Sequence, residues 1–190
     1  MSLSLIIPVY NEINQIQYTL KKITKLKKIF KNFEVILIND FSTDGSERII
    51  ERFSKKNKFI KLYNNKKKGL GPAIELGITK STKEFVCIFM SDMSDDINDL
   101  KKYYKIIYNN KIDAVFGTRF SNNSKIKNYP KIKFILNRIF NNFIRIILWS
   151  KYNDFTNAFK IYRRKTLLKL FPIVSENFNV FLELPLKIII

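Results

Sequence analysis

Residues Phe85–Leu100 read FVCIFMSDMSDDINDL. Six mostly apolar residues run straight into four aspartates, Asp92, Asp95, Asp96 and Asp99, within eight positions. The apolar part has the length and the residue types of a strand covered on both faces. Such a strand ends in negative charge where it leaves a core and meets a polar edge.

Other segments have the same form. Ser2–Val9 (SLSLIIPV), Phe33–Asp40 (FEVILIND), the shorter Phe59–Tyr63 and the segment DAVFGTRF, residues 113–120, all read as strands. Helical patterns separate them. Ile13, Ile16, Leu20, Ile23 and Leu26 share one face, and Ser46–Lys55 follows the turn residues STDGS. A third helix runs from Pro72, with proline in its first turn, to about Lys80, and a fourth spans about Asn98–Asn109. Short apolar strands alternating with helices define an α/β class, a mainly parallel open sheet with helices on both faces. No repeat or linker divides the chain, so one domain over 1–190 is expected. Ligands of such sheets bind outside the C-terminal strand ends, where the strand order reverses. The polar ends PVYNE, NDFSTDGS, SDMSDD and GTRF would converge there.

Composition narrows the chemistry. The chain carries 35 Lys+Arg against 16 Asp+Glu, a net charge of +19. That suits an anionic partner, and equally a solvated basic surface. There is no histidine, which excludes Ser-His and Cys-His nucleophile pairs and His-ligated metals. The single cysteine, Cys87, lies in an apolar run and is expected to be a buried, inert thiol, compatible with a reducing cytoplasm. The N-terminus lacks the pattern of a signal peptide, and no stretch of about 20 apolar residues suggests a membrane span. Aromatic residues are scattered rather than set on a basic platform, so nucleic acid is not expected as a partner.

The four aspartates have three readings. Asp96 or Asp99 can cap the following helix. The cluster can be a solvated loop. Or two of the carboxylates can hold a hard divalent cation, Mg²⁺ or Mn²⁺, that bridges a diphosphate.

Taken in order, LSLIIPVYNE, FEVILINDFSTDGS, GLGPAIELGI, the strand with its aspartates, and DAVFGTRF resemble the family 2 glycosyltransferases of GT-A (nucleotide-diphospho-sugar transferase) fold. The subgroup they are most similar to is the polyprenol (dolichol) phosphate mannosyltransferase-like one. The resemblance runs from Leu3 to about Tyr162. It implies a nucleotide-sugar-binding part over about 1–120 and an acceptor-side part over about 121–190, the latter incomplete because the family continues further. It implies that Pro8, Tyr10, Glu12, Ile38, Asp40 and Met93 surround the nucleotide, with Glu12 on the ribose and Asp40 on the base. Arg119 matches the arginine near the diphosphate. Asp154, Thr156, Asn157 and Phe159 match a segment near the acceptor. The family usually reads D-A-D-L-Q after the fourth strand; here Ser91 and Met93 stand at the two aspartate positions. Asp92 and Asp95 are therefore the expected metal ligands, and with Arg119 the expected catalytic set.

The implied reaction is transfer of a sugar from a nucleotide-diphosphate sugar, with inversion, to a polyprenyl phosphate. Family alternatives are a saccharide hydroxyl in surface-polysaccharide synthesis and, outside the class, a basic non-catalytic nucleic-acid- or membrane-binding domain. The implied location is cytoplasmic, peripheral at the inner face of the cell membrane. NNKKKGLGPAIELG lacks G-K-[ST] and reads as a tight turn into a helix, with Gly69 and Gly71 at special backbone angles. Lys66–Lys68 reads as a solvated turn. Lys131–Ser150 is amphipathic, with Asn137, Arg138, Asn141, Asn142 and Arg145 on one stripe. It is either a helix packed on the sheet or one lying on a membrane. Glu183 is a candidate acceptor-side base, or a plain helix carboxylate.

Overall fold

The computed structural model describes residues 2–92, 95–120 and 130–190, with only the backbone of Lys131. The apolar runs form the strands β1 (Ser2–Val9), β2 (Asn32–Asn39), β3 (Ile60–Asn64), β4 (Phe85–Ile88) and β5 (Ala114–Phe116). A sixth, β6 (Lys160–Arg163), lies in a segment that sequence reasoning had assigned only to the acceptor region. The strand order is β3-β2-β1-β4-β6-β5. The first four strands pair in parallel, and β6 is antiparallel to both β4 and β5. Because β6 runs backwards between them, β5 points the same way as β1–β4. Its GTR end therefore reaches the same edge as the other loops.

The helices follow the apolar spacing: α1 (Ile13–Thr24), α2 (Ser46–Lys56), α3 (Leu70–Lys80), α4 (Ile97–Asn110), α5 (Lys131–Ile147), α6 (Arg164–Lys169) and α7 (Val180–Ile189). In β1 alternate side chains serve opposite faces. Leu3, Leu5, Ile7 and Val9 pack with Ile16, Leu20, Leu100 and Tyr104. Ile6 faces Ile74, Ile78, Val180 and Leu184 on the other side. Ile13, expected on the buried face of α1, is instead 41% exposed at the helix start. Cys87 is fully buried as expected, and burial pushes its thiol well above its usual range.

Gly69 has φ +136°, which favours glycine. Gly71 does not have a positive φ, so the expectation of a special backbone angle is corrected there. Its constraint is space: a Cβ would sit 1.7 Å from the carbonyl oxygen of Ser175. The Gly71 N–H also donates to the Glu176 carbonyl at 3.0 Å. We expect Gly71→Ala to cost about 3 kcal/mol through overpacking against backbone. In a thermal melt that reads as a fall of roughly 6–12 °C, whereas an unchanged Tm would show that the 173–176 loop moves aside freely.

Candidate active site

The edge formed by the C-terminal ends of β1, β2, β4 and β5 is built by loops that satisfy one another's backbone. The N–H of Glu12 donates to Ser46 Oγ (2.9 Å) and that of Ile13 to Asp44 Oδ2 (2.8 Å). The Asn11 N–H donates to Ser42 Oγ, and the Thr43 N–H to Asn11 Oδ1. Thus side chains of the loop after β2 supply partners for the open N–H groups of α1, and hold the PVYNE loop in place. Asn11 and Phe41 sit at positive φ (53° and 61°), one in each of these loops. For a bulky residue like Phe41 this conformation is costly and is maintained only by its surroundings.

Tyr10 is half exposed, and Lys68 Nζ lies 5.0 Å from its ring centroid. Lys66–Lys68 are exposed in a bend, as expected, and Lys68 in addition covers this ring. Asp40 is nearly buried; it accepts from Asn65 Nδ2 (2.8 Å) and from the Gly69 N–H. Its carboxylate ties the loop after β2 to the start of α3. Pro8 and Ile38 are register partners, both buried. They form the floor beneath this edge, Tyr10 and Glu12 reach its rim, and Asp40 lies just below it. Met93 lies outside the described residues.

In the stretch after β4, Ser91 is 3% exposed and its carbonyl accepts from Thr19 Oγ1 at 2.6 Å. Asp92 is exposed. Asp95 has its Oδ2 buried with no hydrogen-bond partner. Burial, then the Asp92 charge, push its carboxyl up to about 7, against pull from Arg119 and Lys160. An orphaned carboxylate oxygen beside a second aspartate is a donor set short of a cation, and these two residues fit a divalent ion. Among the described residues no cluster of three or more acidic, Cys or His groups exists. Asp92 and Asp95 would therefore leave coordination positions to oxygens from outside the protein. Asp96 makes the helix cap, its side chain accepting from the Asn98 N–H at 2.8 Å, and Asp99 pairs with Lys102 at 2.9 Å. The four aspartates thus divide into two for the edge and two for α4.

Arg119 forms a bidentate pair with fully buried Asp154: Nε to Oδ2 at 2.9 Å and Nη2 to Oδ1 at 2.6 Å. Its backbone N–H donates to the same carboxylate, and Nη2 also donates to Thr156 Oγ1 (2.9 Å). The segments 117–119 and 152–160 are further joined by Tyr152 Oη and Asn157 Nδ2, both donating to the Gly117 carbonyl at 2.9 Å. Asn157, matched above to the acceptor segment, thus has a structural role.

Sequence reasoning passed over Lys160. It starts β6, lies between Ile88 and Phe116 in register, and is fully buried. Its ammonium donates to the carbonyls of Phe155 (3.0 Å), Phe181 (3.1 Å) and Asn157. Burial lowers it to about 7 although Asp154 and Asp95 pull the other way. The available signal was a single lysine inside the apolar run FKIY. Glu183 proves structural. It accepts from the N–H groups of Val174 (2.9 Å) and Ser175 (2.7 Å) and pairs with Lys187 (2.6 Å). These partners outweigh its partial burial and hold its carboxyl down at about 2.

Comparison with known proteins agrees with this architecture. The family described as Glycosyl transferase family 2 matches residues 4–171. The chain belongs to that family. It is 24% identical to the glycosyltransferase AglD of Haloferax volcanii over 93% of this chain and 29% of that protein. Among solved structures it is similar to the mannosyltransferase PcManGT of Pyrobaculum calidifontis in complex with GDP-Man and Mn²⁺ (TM-score 0.64, 20% identity, 94% of this chain and 50% of that one). It is also similar to glucosyl-3-phosphoglycerate synthase of Mycobacterium tuberculosis (TM-score 0.74, 14% identity, 98% and 64%). The fold is that of the GT-A glycosyltransferases. The chain spans only part of the curated relatives it matches: 12%, 29% and 59% of three of them.

Proposed function

We propose that this chain carries the donor site and reaction centre of a divalent-metal-dependent transferase. It moves a sugar, with inversion, from a nucleotide-diphosphate sugar to a polyprenyl phosphate. Tyr10 and Glu12 at the rim, with Asp40 just below it, meet the nucleoside. Asp92 and Asp95 hold Mg²⁺ or Mn²⁺, which supplies charge neutralisation for the departing diphosphate. Mn²⁺ in the solved relative is consistent with this donor set. Arg119, oriented by Asp154 and Thr156, adds a fixed cation at the same edge.

The acceptor class rests on one observation: the acceptor-side carboxylates are already used. Asp154 is buried against Arg119, Glu176 pairs with Lys67 at the surface, and Glu183 is held by two N–H groups and Lys187. A sugar hydroxyl needs a base to take its proton. A phosphate monoester, with a second pKa near about 6, arrives ionised and needs none. The test has two parts. A nucleoside diphosphate with Mn²⁺, at a hundredfold excess over Kd, is expected to raise Tm by roughly 5–10 °C, and little without the metal. Labelled sugar is then expected to move into lipid extractable by organic solvent. Label found only on a water-soluble saccharide would assign a hydroxyl acceptor instead. Stabilisation by DNA alone, falling steeply with salt, would remove the transferase reading altogether.

A further inference from the structure

The amphipathic helix α5 is packed the opposite way round from a helix that covers a sheet. Of its polar stripe, Asn141 points into the protein while Arg138 and Arg145 stay exposed at the stripe's edge. Asn141 is fully buried, donates from Nδ2 to Thr156 Oγ1 at 3.0 Å, and accepts from the Thr156 N–H at 3.3 Å. Its apolar stripe faces out: Ile135, Leu136, Ile139, Phe143 and Ile146 are each more than half exposed. None of its apolar side chains enters the hydrophobic clusters of the core. At 3.6 residues per turn the exposed apolar side chains fill an arc of about 140°. Arg138 and Arg145 flank that arc on one side and Lys133 on the other, all three exposed. Trp149, the only tryptophan of the chain, follows the helix and is 96% exposed.

Charge selects what covers this face. From 114 to 153 the sequence holds eight Lys/Arg and not one Asp or Glu. Two copies meeting through α5 would bring like charges together, on a chain whose net charge is already +19. An anionic bilayer offers an apolar interior for the arc and negative headgroups for its basic flanks. No described helix is long and apolar enough to cross a membrane, so the contact is in the plane of the surface. We propose that α5 is a membrane-docking helix, lying in the headgroup boundary of an anionic bilayer with its apolar arc and Trp149 inserted. Through Asn141 and Thr156 the inner face of the same helix reaches Arg119, so one helix carries both the docking face and a contact to the arginine loop. The assignment stands whether or not the acceptor is a lipid.

Trp149 is the probe for the test. The 190-residue chain is titrated with vesicles of phosphatidylglycerol and, separately, of phosphatidylcholine, and its tryptophan emission is followed. A blue shift with phosphatidylglycerol, quenched by lipids brominated on the acyl chain, is the expected result. Phosphatidylcholine is expected to bind at least tenfold more weakly, each basic residue near the surface contributing roughly fivefold. Ile139→Glu with Phe143→Glu should abolish the shift and leave Tm unchanged, because both side chains face solvent. Arg138→Gln with Arg145→Gln should weaken phosphatidylglycerol binding without touching the apolar arc. No shift with phosphatidylglycerol, or a shift that survives the double glutamate variant, overturns the proposal. So does a stable dimer in sedimentation that the same variant dissociates, which would make a second copy the occupant.

Discussion

Asp154→Ala is expected to destabilise the protein by about 3–5 kcal/mol, because it leaves the Arg119 guanidinium partly buried without its carboxylate. Asp154 is fully buried and receives the Arg119 backbone N–H, Nε and Nη2. Urea denaturation followed by circular dichroism measures the loss. A second variant separates structure from chemistry. Arg119→Met combined with Asp154→Leu replaces the pair by apolar groups of similar bulk, which recovers much of the stability in other buried pairs. Transfer activity should not return with it, since the fixed cation is gone. If the apolar pair restored activity as well as stability, Arg119 would be a fold residue only.

Asp95→Asn carries the other large effect. It removes one of the two carboxylates expected to hold the cation, and the loss of transfer should be on the order of a hundredfold or more. The variant also has a signature that a simple structural residue would lack. Folded Asp95 keeps its proton up to about 7, against 3.8 for the free group. Between those values the folded state binds the extra proton, so this group favours folding at low pH. That contribution disappears as pH rises through about 7. Without metal, Asp95→Asn should therefore raise Tm at pH 8 and leave it nearly unchanged below pH 4. Mn²⁺ requires the ionised carboxylate and competes with its proton. In the unmodified chain the Mn²⁺-induced rise in Tm should be larger at pH 8 than at pH 6, affinity falling by about tenfold per unit below 7. In Asp95→Asn that dependence should vanish. An equal response to Mn²⁺ in both proteins would show that the cation is held elsewhere.

Much of the donor side was readable as local pattern. The cores of the first two runs, LIIPV and VILI, are apolar on both alternations, as a strand covered on both faces is. Asp96 before INDL is a helix cap by residue type and position, and the structure uses it so. The loop NDFSTDGS carries short polar side chains that bond N–H groups two or three residues on: Asn39 Oδ1 accepts from the Ser42 N–H, and Asp44 Oδ1 from the Ser46 N–H. These features depend on neighbours in sequence, or on the alternation of two and 3.6 residues.

The acceptor side was read less well, for a different reason. β5 was expected over residues 113–120 and pairs only over Ala114–Phe116, because beyond it the chain turns to meet Asp154. The direction of β6 depends on the gap left between β4 and β5, which no local residue records. Lys160 is buried because its ammonium meets the carbonyls of Phe155 and Asn157 just upstream and that of Phe181, which only the fold brings close.

The residue pattern of this chain alone established an α/β sheet and its polar edge, and offered Asp96 as a helix cap. Periodicity of apolar side chains and the short reach of capping groups are local physics, and they survive in a linear text. Which way α5 turns its two faces was decided by the folded protein. Its spacing defines an apolar and a polar side equally well for either orientation. The amide of Asn141, meeting Thr156 fifteen residues away in the arginine-holding loop, faces inward and leaves the arc of Ile135, Ile139 and Phe143 to the surroundings.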